Sequence, residues 1–205
     1  MMGNINLNQR ERILEVSREL FIQFGYKGVS MRMIAEKLGM THGNIYNYFQ
    51  NKDMVYAEIM KSLLKELDDY LHRFNDEIRI DDKIFHDLNL YMLKEMLHLV
   101  ETYPAELNLL IYKSQGSQYE NFGERYISRG EKVGNMFLEA MKAKYPSLNT
   151  DFTPLFNRFN ASRWYTLLCD LAMHPDIPIE ERRRFIKEYM IYSSGGWESL
   201  MKSSL

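Results

Sequence analysis

The stretch Gly28–Lys52, GVSMRMIAEKLGMTHGNIYNYFQNK, decides how this chain is read. It codes for two short helices joined by a tight turn. Ser30 is placed to cap the first, accepting a bond from one of the backbone N–H groups that a helix start leaves without an internal partner. Ile34, Ala35 and Leu38 mark its apolar face. Gly39 ends it, where the chain needs a residue tolerant of positive φ. Thr41 caps the second helix, and Ile45 and Phe49, four apart, form its inner face. Two helices that cross steeply need a small residue at closest approach, a pliable residue in the turn and a branched apolar plug on the second helix. Ala35, Gly39 and Ile45 supply these in order. This is a helix-turn-helix pattern, in which the second helix enters the DNA major groove.

The outward residues of the second helix suit that use. His42, Asn44, Asn47 and Tyr48 are polar, and Gly43 allows close backbone approach. No acidic residue between Met40 and Lys52 repels phosphate. Lys52 falls near the start of the next helix, where backbone N–H groups and a cation together favour an anion. A short polar helix on an ordinary bundle is the alternative this pattern leaves.

Thr41 to Phe49, followed by Asn51-Lys52-Asp53 and preceded by Val29-Ser30, Ile34-Ala35 and Gly39, resembles the signature of the TetR family of transcriptional regulators (the TetR/AcrR type). The specific resemblance covers about residues 8–60; beyond it only length and helical layout are similar. The resemblance implies that Arg32, His42, Gly43, Asn44 and Asn47 read bases, while Ser30, Thr41, Tyr46, Tyr48 and Lys52 hold phosphates. His42 and Asn44 differ from the commonest residues of the family there, so the operator sequence does not follow. It further implies a helix-turn-helix DNA-binding domain over 1–52 and an effector-binding and dimerisation domain over 53–205. A homodimer, a palindromic double-stranded operator, repression and release by a small apolar or aromatic effector complete that expectation.

Composition agrees with an all-α chain of this size. Of 205 residues 45% are hydrophobic, enough for a core, and only five are proline and eleven glycine. Residues 1–52 hold seven basic against four acidic side chains, a net of +3, which leaves −5 for the remainder of a chain whose total is −2. A basic head on an acidic body suits a protein that meets nucleic acid with one end. A single cysteine, Cys169, excludes an internal disulfide, and its leucine neighbours predict a buried thiol. No signal-peptide run or membrane-length apolar stretch is present, so a cytoplasmic protein without membrane attachment is expected.

In chain order, residues 1–7 are expected to be disordered and a helix spans about Asn8–Phe24, ended by Gly25. A fourth helix runs from Lys52 or Asp53 to about Phe74, with Met54, Val55, Ile59, Leu63, Leu67, Leu71 and Phe74 as its apolar stripe. Asn75–Asp82 is a charged connector. Helices follow over about 83–101, on to Lys113 after a break at Tyr103-Pro104, over 118–144, from Thr153-Pro154 to Met173, and from Ile179 to Met201. The middle helices carry Phe85, Tyr91, Met92, Met96, Leu109, Tyr112, Phe122, Tyr126, Phe137 and Met141. These could line an apolar pocket or simply fill a core, and spacing alone does not separate the two. The last two helices are aromatic. Phe156, Phe159, Trp164, Tyr189 and Trp197 are candidates for the dimer face the resemblance implies, or complete the core of one chain.

No catalytic chemistry emerges. Glu95-x-x-His98 has the spacing of a metal pair, but no second copy exists, so no metal or cofactor is expected. No phosphate-binding glycine loop and no nucleophile motif occurs, which gives an enzyme no support. A protein of the same fold that binds DNA or a partner without ligand control is the remaining alternative, and a filled core in place of a pocket would favour it.

Overall fold

Sparse proline, few glycines and apolar residues at helical spacing give a chain built of helices. The computed structural model describes the backbone of residues 2–77 and 84–203 and the side chains of 8–70 and 87–203. The helices are α1 (Met2–Gly28), α2 (Met31–Lys37), α3 (His42–Ile45), α4 (Lys52–Glu77), α5 (Ile84–Thr102), α6 (Pro104–Tyr112), α7 (Phe122–Lys144), α8 (Pro154–Met173) and α9 (Ile179–Met201). No strand occurs among the described residues, and the all-α expectation holds. The first helix starts at Met2, earlier than Asn8, because no proline stops it there. Most of the connector expected over Asn75–Asp82 lies outside the described residues.

The chain divides into two compact units. The first comprises residues 1–65 and 105–122, the second 66–104 and 123–205. In the first, α1 is interrupted at Gly25, whose φ of 69° and ψ of 169° no helix shares. The last turn of α1 is thereby set off and Tyr26 is turned inward. Phe21, Tyr26 and Tyr56 form an aromatic cluster with ring centroids 4.9–6.0 Å apart. Around it Ile13, Ile34, Ile45, Phe49 and Val55 are fully or almost fully buried.

Helix α6 is bound into this unit by polar contacts. Tyr26 N–H donates to the Lys113 carbonyl at 2.9 Å. Lys113 Nζ donates to Ile22 O at 2.6 Å, satisfying a carbonyl that the end of a helix leaves open. Arg18 pairs with Glu106 at 2.5 Å, and Tyr56 O–H donates to Leu109 O at 3.3 Å. None of these partners is near in sequence, so the participation of α6 has no local signature.

The buried residues of α4 are Val55, Tyr56, Met60, Leu63, Leu67 and Tyr70: Val55, Leu63 and Leu67 are as expected, Tyr56, Met60 and Tyr70 are additional, and the side chains of Leu71 and Phe74 lie outside the described residues. Met54 is 46% exposed. The tyrosines decide the difference: their rings bury while their hydroxyls find partners. In the second unit α5 packs on α8 and α9. Tyr70 and Tyr91 stack at 5.7 Å, and Tyr91 O–H donates to Tyr70 O at 2.7 Å. A second apolar cluster joins Leu138, Met141 and Met201 to Phe152 and Trp197. Among the described residues no helix is long and apolar enough to cross a membrane.

Candidate nucleic-acid interface and interior cavity

Helices α2 and α3 are capped as their sequences require. Ser30 Oγ accepts from Met33 N–H at 3.2 Å, and Thr41 Oγ1 accepts from Asn44 N–H at 3.3 Å. Gly39 between them has φ 67°. Ala35 and Ile45 are buried at 1% and 0% exposure, so the small residue and the plug meet inside. The second helix ends at Ile45 rather than reaching Phe49, and residues 46–48 continue as a turn with i→i−3 bonds; burial of Ile45 and Phe49 turns the opposite side of this segment outward. Ser30, Arg32, Thr41, His42, Gly43, Asn44, Tyr46 and Asn47 are all exposed, and Tyr48 is half-buried. A Cβ placed on Gly43 would meet nothing within 4 Å. The outward side chains are organised among themselves: Asn47 Nδ2 donates to Asn44 Oδ1 at 3.0 Å, and Tyr46 O–H lies 3.3 Å from His42 Nε2. Arg32 is paired with Glu36 at 2.8 Å.

Lys52 is engaged within its own unit. Its Nζ donates to Tyr26 O at 2.8 Å and Val29 O at 2.9 Å and lies 4.0 Å from the centroid of the Tyr26 ring. Tyr26 O–H in turn donates to Asp53 Oδ1. Burial lowers the pKa of Lys52 from the usual lysine value, partly opposed by Asp53. Burial and the bond to Asp53 raise that of Tyr26. Two of the three ammonium donors are engaged with the carbonyls of Tyr26 and Val29, so Lys52 braces the end of α1 and the residue after it against α4.

The second unit contains a cavity of about 150 Å³. Its wall takes Tyr70 from α4, Met92 from α5, Tyr126 and Phe137 from α7, Trp164 from α8 and Trp197 from α9. Of the ten residues proposed from sequence, Met92, Tyr126 and Phe137 line it. Tyr91 and Met96 are buried elsewhere in the core of this unit, and Met141 belongs to the cluster with Leu138 and Met201. Leu109, Tyr112 and Phe122 belong to the first unit. The side chain of Phe85 lies outside the described residues. Tyr70 and the two tryptophans are the wall residues that spacing missed. The sequence signal available for the cavity was Gly130 and Gly134, one turn apart in α7, where glycine weakens a helix unless space is needed.

Trp164 packs edge-on against Tyr189 at 5.4 Å, and Trp197 against Phe152 and Phe156 at 5.3 and 5.5 Å. These residues, expected at a dimer face, are partly buried within one chain. The most exposed apolar residues of α8 and α9 are Leu155 at 78%, Phe159 at 56%, Ile191 at 72% and Tyr192 at 73%, with Met173 and Phe185 also exposed. Cys169 is half-buried rather than enclosed. Glu95 is buried, whereas His98 is exposed and faces Glu66 at 3.8 Å. Among the described residues no group of three or more His, Cys, Asp or Glu could hold a metal ion.

The sequence profile of the family described as bacterial regulatory proteins, tetR family, matches residues 13–59, the segment that forms α2, α3 and their supports. Residues 13–59 are thus a TetR-family DNA-binding segment. An HTH-type transcriptional regulator of Bacillus subtilis, YhgD, is 36% identical over 63 residues. That match covers 31% of this chain and 33% of the relative, so only about a third of the curated protein is spanned. Two solved structures extend the likeness of fold across most of this chain. NalD of Pseudomonas aeruginosa, the secondary repressor of the MexAB-OprM multidrug efflux pump, is 17% identical, with a TM-score of 0.62 over 92% of this chain and 96% of that one. SmeT, solved as a triclosan complex, is 18% identical, with a TM-score of 0.61 over 90% of each chain.

Proposed function

We propose that this TetR-family chain is a cytoplasmic, homodimeric, DNA-binding transcriptional repressor whose grip on a palindromic operator is released by a small apolar or aromatic effector. The observation that carries the reading is α3. It is capped by Thr41 and anchored by fully buried Ile45. It presents Asn44, His42 and open Gly43 to solvent, and the turn that follows it presents Asn47. An amide on such a face pairs with an adenine edge in the major groove. Arg32, His42, Gly43, Asn44 and Asn47 are proposed to read bases; Ser30, Thr41, Tyr46, Tyr48 and Lys52 are proposed to hold phosphates, and Lys52 also acts by positioning. Residues 1–52 form the DNA-binding domain and 53–205 the effector and dimerisation domain.

Support for the ligand comes from the cavity, since a filled second unit would have favoured a DNA-binding module without ligand control. A structural relative was solved with triclosan bound, and another is a repressor. Support for the dimer comes from Leu155, Phe159, Ile191 and Tyr192 on α8 and α9, because exposed apolar residues gathered on adjacent elements mark an interaction surface. Two copies related by a two-fold axis match a palindrome read by two heads. The mechanism is a population shift: an effector that binds the operator-incompetent state more tightly lowers operator affinity by that difference. Genome-wide recovery of DNA bound to the chain tests the reading. A recurrent inverted repeat is expected, and recovery without sequence preference contradicts it.

A further inference from the structure

We propose that Glu36 is a positioning residue for DNA recognition: it holds the Arg32 guanidinium by Nε, so that the Nη1–Nη2 edge is presented to a guanine of the operator. This rests on the reading of Arg32 as a base-reading residue, and it names the base and the side chain that aims Arg32 at it.

The pair does little for α2 itself. Arg32 stands in the first turn of α2 and Glu36 in its last. Each therefore opposes the helix dipole, whose positive end is the N-terminus. An ion pair four residues apart supports a helix best with the acid first, and here the base comes first. The two side chains are 77% and 61% exposed, so water screens their attraction. Other arginines of the first unit are used differently. Arg10 pairs with Glu58 and Arg18 with Glu106, each joining residues far apart in sequence. Arg32 is tied only to its own helix, and among the described residues neither it nor Glu36 has another side-chain partner. Met31, Ile34 and Ala35 take the buried side of α2, which leaves the pair in solvent.

What the bond does is fix the arginine. A guanidinium is a planar fork of five N–H donors. Nε donates to Glu36 Oε1 at 2.8 Å, which sets the direction of the whole plane. The end edge, Nη1 and Nη2, points away from that bond and keeps its donors. This is the edge that pairs bidentately with O6 and N7 of guanine in the major groove. A long side chain gives up its freedom when it binds, and one already held gives up less. The carboxylate also acts on the DNA backbone, repelling phosphate on any sequence. Glu36 thereby favours the correct duplex through Arg32 and disfavours every other, the two sides on which specificity is built.

The test is fluorescence anisotropy of the unmodified full chain, Glu36→Ala and Arg32→Ala. The probes are a duplex recovered from the genome, its scrambled counterpart, and recovered duplexes in which each guanine in turn is replaced by 7-deazaguanine, which lacks the N7 acceptor. With unmodified protein, replacement of one guanine per half-site is expected to weaken binding about fivefold or more. Arg32→Ala is expected to abolish that sensitivity. Glu36→Ala is expected to reduce it and to weaken the recovered duplex about 3–10-fold per half-site, the cost of ordering one long side chain. The same variant should bind the scrambled duplex as tightly as before or tighter, because a charge that repels phosphate is gone. Its thermal midpoint should hold or rise, since alanine favours the helix. If Glu36→Ala changes both duplexes by the same factor, in either direction, or lowers the midpoint markedly, the positioning role is overturned although Arg32 can still read a base. If no guanine is sensitive while Arg32→Ala weakens the recovered duplex selectively, the assignment of guanine is overturned. If Arg32→Ala leaves the recovered duplex unaffected, the base-reading role of Arg32 fails together with this proposal.

Discussion

The two compact units of this chain use the same material to opposite ends. In the first, aromatic rings are packed to contact and nearly every buried polar group is tied. Tyr26, Lys52, Lys113, Arg18 and Tyr56 each bridge elements distant in sequence. In the second, two tryptophans and two glycines surround a void, and six large apolar side chains stand in solvent on α8 and α9. A reading head gains from rigidity, because base contacts need fixed geometry. A pocket and an association face require surface withheld from the chain's own core. The contrast teaches that the void and the exposed apolar side chains of the second unit are where the proposed effector and second copy would be accommodated.

The contrast makes graded demands. The largest effect is expected from Phe49→Ala in the first unit. The ring is 2% exposed and lies under Arg10, and its loss should cost about 3–5 kcal/mol of unfolding free energy in urea titration. Next comes Lys52→Met. Removing a charged donor from two carbonyls should cost about 1.5–3 kcal/mol in the same titration. An unchanged unfolding midpoint would show that the ammonium is not a strut. Tyr56→Phe leaves the ring and deletes the bond to Leu109 O, for about 0.5–1.5 kcal/mol. The smallest effect, of opposite sign, belongs to the second unit. Gly134→Ala adds a methyl group where nothing lies within 4 Å and should stabilise by up to about 1 kcal/mol, because alanine favours the helix. Destabilisation there would mean that the cavity wall is packed after all and the contrast is false.

The head was legible because its determinants are local. A cap speaks to the N–H three residues on, and Gly39 needs only its own φ. Ile45 and Phe49 follow from helical period, and each can be read within a dozen residues. The bond network of Lys52 reaches back to Tyr26 and Val29, so its bracing role was not legible from local sequence. The cavity was less legible for the same reason on a larger scale. Its wall draws on α4, α5, α7, α8 and α9, and apolar spacing identifies what is buried without saying whether packing is complete. Trp164 and Trp197 looked like interface residues because large aromatics on terminal helices often are. Here they turn toward the cavity, and the most exposed positions are Leu155, Phe159, Ile191 and Tyr192.

The central claim is that α3 and the turn after it read DNA bases through the amides of Asn44 and Asn47. The most direct measurement is fluorescence anisotropy of Asn44→Ala against unmodified protein, on a duplex recovered from the genome and on its scrambled counterpart, at several salt concentrations. Asn44 is exposed, and apart from its pairing with Asn47 its side chain holds nothing in place. Stability should therefore stay within about 0.5 kcal/mol. The account predicts a loss of roughly 1–3 kcal/mol on the recovered duplex only, with the salt slope unchanged, since no phosphate contact is removed. Equal weakening on both duplexes, or no weakening on either, would contradict it.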